Sequence, residues 1–106
     1  MHAPRHGCNP IVVLVNNSGW GIFRPVIKQQ ELLARPSLRY SDLAMHWGGV
    51  GIRVQTVAEL RRALENAAQS SAFVIIEAMT GYRDLSPISI KYIRASAKRA
   101  LKAAKP

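Results

Sequence analysis

Three short apolar runs alternate with helix-forming segments, and this alternation constrains the fold more than any other feature of the chain. The runs are IVVLVN (11–16), VGIRVQ (50–55) and AFVIIEA (72–78). Runs this short and rich in β-branched residues indicate strands of a parallel sheet, and the run at 11–16 is predicted to be buried on both faces. Because strands that alternate with helices favour right-handed parallel crossovers, we predict an α/β fold, a three-layer sandwich with a mostly parallel sheet.

Two helices are predicted around the second strand. Thr56 and Glu59 form a T-x-x-E capping box at the start of an amphipathic helix. Ser41 is expected to cap a short helix over 42–47, which the glycine pair behind it would stop.

Two further helices are predicted near the ends of the chain. One covers 22–33 and is weakened at Pro25. The other begins at Pro87, because proline suits the first turn of a helix. Its apolar stripe is formed by Ile90, Ile93, Ala97, Leu101 and Ala104.

Length and composition indicate one globular domain. The chain has 106 residues, of which 48% are hydrophobic and 20% are charged. No apolar run approaches the ~20 residues of a membrane span, and the first residues lack the apolar middle of a signal peptide. A single cysteine, Cys8, excludes an internal disulfide framework and fits a reducing cytoplasm, so we expect a cytoplasmic protein without a membrane partner. A small buried or incidental role is favoured for Cys8 over a reactive thiol.

The charge is strongly basic, with fifteen Lys and Arg against six Asp and Glu. Six of these basic residues lie between Lys91 and Lys105, where no acidic residue occurs. Such a face can hold nucleic acid, but it is also typical of a solvated helix or a tail that packs on a partner. Tyr92 is the one aromatic residue there, so the interleaved aromatics of a single-strand binding platform are missing and a nucleic-acid partner is not favoured.

A pair of amides, Asn16 and Asn17, lies at the predicted carboxyl end of the first strand, the edge where open α/β sheets bind ligands. An amide oxygen is a neutral, hard ligand suited to Mg²⁺ or Ca²⁺, and Gly19 could turn a backbone carbonyl toward the same ion. Magnesium completes its coordination with phosphates and water, so the sequence NNSG could hold a magnesium diphosphate. A plain asparagine-rich turn is the alternative interpretation.

The wider pattern resembles a known family. PIVVLVNNSGWGIFRP (10–25) is similar to the second half of the thiamine-diphosphate motif, which starts with Gly-Asp-Gly and ends, after a strand, with paired Asn. YSDLAMHWGGVGIRVQTVAELRRALENA (40–67) resembles the next part of the cofactor-binding domain of these enzymes, and AFVIIEAM (72–79) its last core strand. DLSPISIKYIRASAKR (84–99) resembles the tails of 2-oxo acid decarboxylases acting on pyruvate, indolepyruvate or phenylpyruvate.

The resemblance implies roles for individual residues. Asn17 would give its side-chain oxygen and Gly19 its backbone carbonyl to Mg²⁺, while Asn16 would shape the turn. The residues expected against the thiazolium and diphosphate side of the cofactor are Trp20, Gly21 and Ile22. Decarboxylation itself would be carried by the cofactor, and no catalytic residue is assigned to this chain.

Two departures from the family pattern shape the expectation. The Gly-Asp-Gly half and its aspartate are absent, since the first acidic residue is Glu31. We therefore expect residues 1–106 to be a single, partial C-terminal thiamine-diphosphate-binding domain of a longer enzyme, inactive by itself. Phe23 stands where pyruvate decarboxylases carry a catalytic glutamate, which predicts a substrate pocket for bulky or aromatic 2-oxo acids.

The leading hypothesis is thus a fragment of a thiamine-diphosphate- and Mg²⁺-dependent 2-oxo acid decarboxylase, a carbon–carbon lyase that works as a homo-oligomer. Two alternatives stay open. The stretch WGIFR (20–24) also resembles the acetolactate-synthase-like carboligases. A basic, non-catalytic module that binds nucleic acid is the alternative from a different functional class.

Overall fold

The computed structural model of the protein describes residues 5–24, 27–29, 31, 33–35, 38–81 and 83–104. Within them the strands and helices follow in the order β1 (Ile11–Asn16), α1 (Asp42–His46), β2 (Val50–Val54), α2 (Val57–Ala68), β3 (Val74–Met79) and α3 (Pro87–Ala103). A single turn of 3₁₀ helix, Gly21–Phe23, lies between β1 and α1.

The three strands form one parallel sheet in the order β1-β3-β2. β3 is the central strand, and its Val74 is in register with Ile11 of β1 on one side and Val50 of β2 on the other. β1 and β2 therefore do not pair with each other, but both run parallel to β3. The predicted α/β class and parallel sheet are confirmed.

Side chains of β3 alternate between two layers of helix. Val74 and Ile76 pack on one face with Ala63 and Ala67 of α2. On the opposite face, Phe73 and Ile75 form a second cluster with Ala44 of α1, which is fully buried. Because helices cover both faces of the central strand, the predicted three-layer arrangement is confirmed.

β1 differs from the strand that its sequence predicts. It is an edge of the described sheet, and most of its apolar side chains are exposed, with Val15 at 66%. The prediction of a strand buried on both faces is therefore wrong for this chain. Its β-branched residues are explained by strand formation, whereas burial would need neighbours that the described residues do not supply.

The local signals around α2 and α1 have opposite outcomes. The capping box is confirmed: the Thr56 side chain accepts from the Glu59 N–H, and the Glu59 carboxylate accepts from the Thr56 N–H at 3.2 Å. The predicted Ser41 cap is wrong, because Ser41 itself has helical angles and its side chain caps nothing. Ser41 is buried and donates its N–H to Glu77 instead. Gly48, with φ +79°, follows α1 as predicted.

The predicted helix over 22–33 is wrong. Trp20 N donates to Leu33 O at 3.0 Å, so Leu33 lies next to Trp20. A continuous helix of that length would carry its two ends roughly 16 Å apart. Pro25, which was expected to weaken this helix, lies outside the described residues.

α3 begins as predicted, with Pro87 in its first turn and the Ser86 side chain accepting from the Ser89 N–H. Its apolar stripe, however, meets no core. None of the residues 87–103, all of which the structure describes, is buried. Leu101 is 69% exposed. The helical pattern therefore forms a helix whose apolar stripe is not buried by the described part of the chain.

Two smaller expectations concern the membrane and Cys8. Among the described residues, no helix is long and apolar enough to cross a membrane. Cys8 is exposed, and its Sγ contacts the His6 carbonyl at 3.7 Å. Of the two roles favoured for Cys8, the buried one is therefore wrong and the incidental one stays a prediction.

Candidate functional site

The turn that follows β1 starts at a buried amide. Asn16 is 6% exposed, and its Nδ2 donates to the Glu77 carboxylate at 2.7 Å. Its Oδ1 accepts from the Ser18 N–H at 3.0 Å. This bond spans the first residues of the turn, where Ser18 adopts φ +57°, a left-handed conformation that few residues other than glycine adopt readily. The Asn16 side chain thus links the end of β1 to the turn that follows it.

Gly19 turns its backbone polar groups toward the side that carries Asn17. It faces Ala34 in an isolated antiparallel bridge. The two hydrogen bonds of the bridge join the flanking residues, Trp20 N to Leu33 O and Arg35 N to Ser18 O, each 3.0 Å long. In such a pair the N–H and C=O of the central residue point away from the partner strand.

The side chain of Asn17 lies on that outward side of Gly19. The Gly19 N–H donates to Asn17 Oδ1 at 3.3 Å. The Gly19 carbonyl therefore faces the same side of the turn as the Asn17 amide. Because an amide oxygen has two lone pairs, Asn17 Oδ1 can accept this hydrogen bond and still coordinate a cation.

Residues that follow Gly19 in the sequence pack closely on Asn17. A Cβ placed on Gly21 would lie 2.8 Å from Asn17 Nδ2, so any larger residue there would displace the amide. The Asn17 backbone carbonyl accepts from Arg24 Nη2 at 3.2 Å. Glycine at position 21 is thus explained by close approach to Asn17.

The side chains of Trp20 and Phe23 form a half-exposed aromatic pair in this segment. Their ring centroids are 5.8 Å apart, and the side chains are 51% and 42% exposed. The Arg35 guanidinium lies 5.3 Å from the Trp20 ring centroid, within cation–π range. These two rings form an accessible apolar surface in the segment that follows Asn17 and Gly19 along the chain.

Glu77 supports the site from the centre of the sheet, and sequence reasoning missed it. It is fully buried, and its second carboxylate oxygen accepts from the Ser41 N–H at 3.0 Å. Burial acts to raise the pKa of Glu77, but the hydrogen bonds from Ser41, Asn16 and the Tyr40 backbone outweigh it, so the pKa lies below its ordinary value. A lone acid inside the apolar run AFVIIEAM was the signal that could have found it.

Comparison with protein families decides the identity of the domain. Residues 1–78 match the family described as thiamine pyrophosphate enzyme, C-terminal TPP binding domain. The chain belongs to this family. The expected resemblance to thiamine-diphosphate enzymes is therefore confirmed over β1, β2, α2 and almost all of β3.

A relative with an assigned activity supports the same conclusion. The chain is 36% identical over 91 residues to indole-3-pyruvate decarboxylase of Azospirillum brasilense. The match covers 85% of this chain but 17% of the length of that relative. The shared region therefore extends beyond residue 78, while most of the relative has no counterpart in the 106 residues.

The turn is compatible with the diphosphate end of the cofactor of this family. It brings an amide oxygen of Asn17 and the carbonyl of Gly19 to one side, and both are neutral oxygen donors of the kind that Mg²⁺ accepts. Among the described residues, no group of three or more His, Cys, Asp or Glu could hold a metal ion. Any cation held here would depend on amide and carbonyl oxygens, together with oxygens of the ligand.

The structure gathers most of the residues singled out by the sequence. Asn16, Asn17, Gly19, Trp20 and Gly21 lie in one continuous turn at the carboxyl end of β1. Phe23 is the last residue of the 3₁₀ turn that begins at Gly21. The Ile22 side chain lies outside the described part of the structure, so its expected cofactor contact stays a prediction.

Proposed function

We propose that the turn after β1 holds the Mg²⁺ and diphosphate of thiamine diphosphate in a 2-oxo acid decarboxylase. Asn17 Oδ1 and the Gly19 carbonyl are the metal ligands in this proposal. The observation that carries it is their common orientation, which follows from the Gly19–Ala34 bridge and the 3.3 Å hydrogen bond from Gly19 N to Asn17 Oδ1. Mg²⁺ keeps few protein ligands and takes phosphate oxygens, which suits a site with two neutral donors.

The cofactor supplies the electron sink for loss of CO₂ from a 2-oxo acid. This chain's residues bind and orient it. Gly21 leaves room for Asn17, since a Cβ there would meet the amide at 2.8 Å. Trp20 and the backbone of Gly21 and Ile22 face the thiazolium and diphosphate side.

Phe23 lines the substrate side in this proposal and favours bulky or aromatic 2-oxo acids. Two observations support that specificity. Phe23 presents an accessible ring, tilted 30° to the ring of Trp20, in the 3₁₀ turn that follows the proposed metal ligands. The relative from Azospirillum brasilense is named for indole-3-pyruvate, a 2-oxo acid with an aromatic side chain.

The 106-residue chain is expected to bind the cofactor weakly and to catalyse no decarboxylation alone. A diphosphate brings several negative charges, whereas the proposed protein ligands are uncharged. The chain also matches 17% of the length of its decarboxylase relative, so most of that enzyme has no counterpart in the 106 residues. Homo-oligomerisation belongs to the proposal for the complete enzyme.

Replacing Asn17 tests the proposal directly. Asn17→Ala removes one metal ligand and should raise the apparent Kd for thiamine diphosphate in millimolar Mg²⁺ by at least about tenfold, as loss of metal-site partners does. Nuclear magnetic resonance titration can measure weak binding to the chain.

A matched control uses an asparagine remote from the turn. Asn66 is exposed on α2, and Asn66→Ala should leave the Kd unchanged. Equal affinity of the Asn17→Ala variant and the unmodified protein would contradict the assignment of the metal ligand. Release of CO₂ from phenylpyruvate by the chain alone would show that it carries more of the site than proposed.

A further inference from the structure

The strongest unexplained feature outside the proposed ligands is the carboxylate at the centre of the sheet. Glu77 is 0% exposed, although every other residue of β3 is apolar. Its two oxygens accept from two segments distant in the sequence: Oε1 from Asn16 Nδ2 at 2.7 Å, and Oε2 from Ser41 N at 3.0 Å. Neither segment is part of β3, so Glu77 joins the end of β1 and the start of α1 to the central strand.

The chemistry of this carboxylate dictates the orientation of its neighbour. An ionised carboxylate can only accept hydrogen bonds, so Asn16 must turn its NH₂ group toward Glu77. Its carbonyl oxygen then points in the opposite direction, where it accepts from the Ser18 N–H at 3.0 Å. If the amide were reversed, two donors would face each other at Ser18, and two acceptors would face each other at Glu77.

The Ser18 hydrogen bond matters because of where it lies in the turn. Ser18 has φ +57°, so its backbone occupies a region that costs about 1 kcal/mol or more for a residue with a Cβ. The bond from Asn16 helps to hold it there. Gly19 follows directly, and Arg35 N donates to the Ser18 carbonyl to complete the bridge that orients Gly19.

We propose that Glu77 is a positioning residue for the cofactor site: it fixes the amide orientation of Asn16, which holds Ser18 and thereby the side of the turn that presents Asn17 and Gly19. This inference rests on the proposed function. Glu77 touches neither metal nor cofactor in it, and acts through Asn16 alone.

A role limited to core stability would not need this arrangement. A buried ion pair can often be replaced by well-packed apolar residues without loss of stability, because both partners are removed together. Here such a replacement of Glu77 alone would remove the acceptor of the Ser41 N–H and the shorter of the two hydrogen bonds donated by Asn16 Nδ2, leaving Nδ2 the Leu38 carbonyl at 3.4 Å. The carboxylate is therefore suited to defining the turn.

Substitution of Glu77→Gln tests the inference. The new amide has the same size, but its NH₂ group would face either Asn16 Nδ2 or the Ser41 N–H, and both of these donors require an acceptor. Without ligand, solvent exchange of the Ser18 amide proton should become about tenfold faster, as expected for loss of one hydrogen bond. The Kd for thiamine diphosphate in Mg²⁺ should rise by a similar factor. Ile76→Val is the control: Ile76 is equally buried but faces α2, so exchange at Ser18 and the Kd should stay unchanged.

The double variant Asn16→Asp with Glu77→Gln provides the rescue. It exchanges the carboxylate and the amide, so that the group at 77 donates to the group at 16, which still accepts from Ser18 N–H. We expect slow Ser18 exchange and the original Kd to return, a result that a merely structural loss would not give. If Glu77→Gln fails to fold, the double variant decides alone: slow Ser18 exchange supports the inference, and fast exchange or an unfolded chain overturns it.

The two proposals fail in different ways. In one outcome the unmodified chain shows no Mg²⁺-dependent binding of thiamine diphosphate, while Glu77→Gln still accelerates Ser18 exchange. The cofactor proposal is then wrong. Glu77 still positions the turn, but the turn has no role in binding the cofactor. If the unmodified chain binds and Glu77→Gln binds equally well with unchanged Ser18 exchange, the inference about Glu77 is wrong and the cofactor proposal stands.

Discussion

α2 and α3 are both amphipathic helices with a side-chain cap at the N-terminus, yet only α2 is part of the core. α2 buries Ala63 and Ala67 against β2 and β3. α3 is longer, with 17 residues against 12, and buries none of them. The comparison shows that an amphipathic pattern specifies a helix and one apolar face, whereas burial of that face depends on a partner elsewhere.

The largest expected difference between the two helices comes from proline in their interiors. Ala63→Pro should destabilise the protein by about 3 kcal/mol or more, because it breaks α2 where it packs on the sheet. Ala97→Pro should disrupt α3 to the same degree locally, but leave unfolding of the sheet unchanged. Urea denaturation followed by the fluorescence of Trp20 and Trp47, which lie outside α3, measures unfolding of the rest of the domain, and circular dichroism measures the helix content. An equal fall in the denaturation midpoint for both variants would show that α3 is coupled to the core.

Removal of the caps should give a smaller version of the same contrast. Thr56→Ala removes the acceptor for the Glu59 N–H and should cost about 1 kcal/mol of global stability. Ser86→Ala removes the acceptor for the Ser89 N–H, and should increase fraying of α3 without moving the global midpoint. Amide hydrogen exchange separates the two results, since local fraying affects α3 amides alone. Loss of global stability in the Ser86→Ala variant would contradict the contrast.

The smallest effect concerns the acid in the first turn of α2, which α3 lacks. Hydrogen bonds from the Gln55 and Thr56 backbone N–H groups lower the pKa of Glu59 below its ordinary value of 4.5. Because the pKa is lowered in the folded state, this stabilisation is present above about pH 4.5 and is lost as the pH falls through the folded-state pKa. Glu59→Gln keeps a residue suited to the capping box but does not titrate.

The expected readout is the difference in midpoint between the unmodified protein and Glu59→Gln. It should be largest near neutral pH and shrink toward pH 3. A difference independent of pH would mean that the charge of Glu59 does not contribute to the stability of α2.

Elements with local signals were predictable from the sequence. The capping box fixed the start of α2, Pro87 fixed the start of α3, and the alternation of strands and helices predicted the parallel sheet. The turn after β1 was also predictable in outline, because the resemblance to thiamine-diphosphate enzymes points to Asn17 and Gly19. These features depend on neighbours within a few positions or on a family pattern.

Features that depend on distant contacts were not predictable in the same way. Glu77 is held by Asn16, 61 positions away, and by Ser41, 36 positions away. The local sequence predicts a helix cap at Ser41 because it does not reveal that the Ser41 N–H donates to the Glu77 carboxylate of β3. The described residues of 22–33 do not form the predicted continuous helix for a related reason, since the Trp20 N–H donates to the Leu33 carbonyl, a contact between distant positions.

The most direct test of the central proposal is a residue-resolved titration of the ¹⁵N-labelled chain with thiamine diphosphate, with and without millimolar Mg²⁺. The account predicts Mg²⁺-dependent chemical-shift changes concentrated at Asn17, Gly19 and Trp20, with α3 unaffected. Asn17→Ala should weaken these Mg²⁺-dependent changes at a given cofactor concentration. Changes concentrated on the lysines and arginines of α3, independent of Mg²⁺, would instead show adsorption of an anion to a basic helix and would contradict the proposed cofactor site.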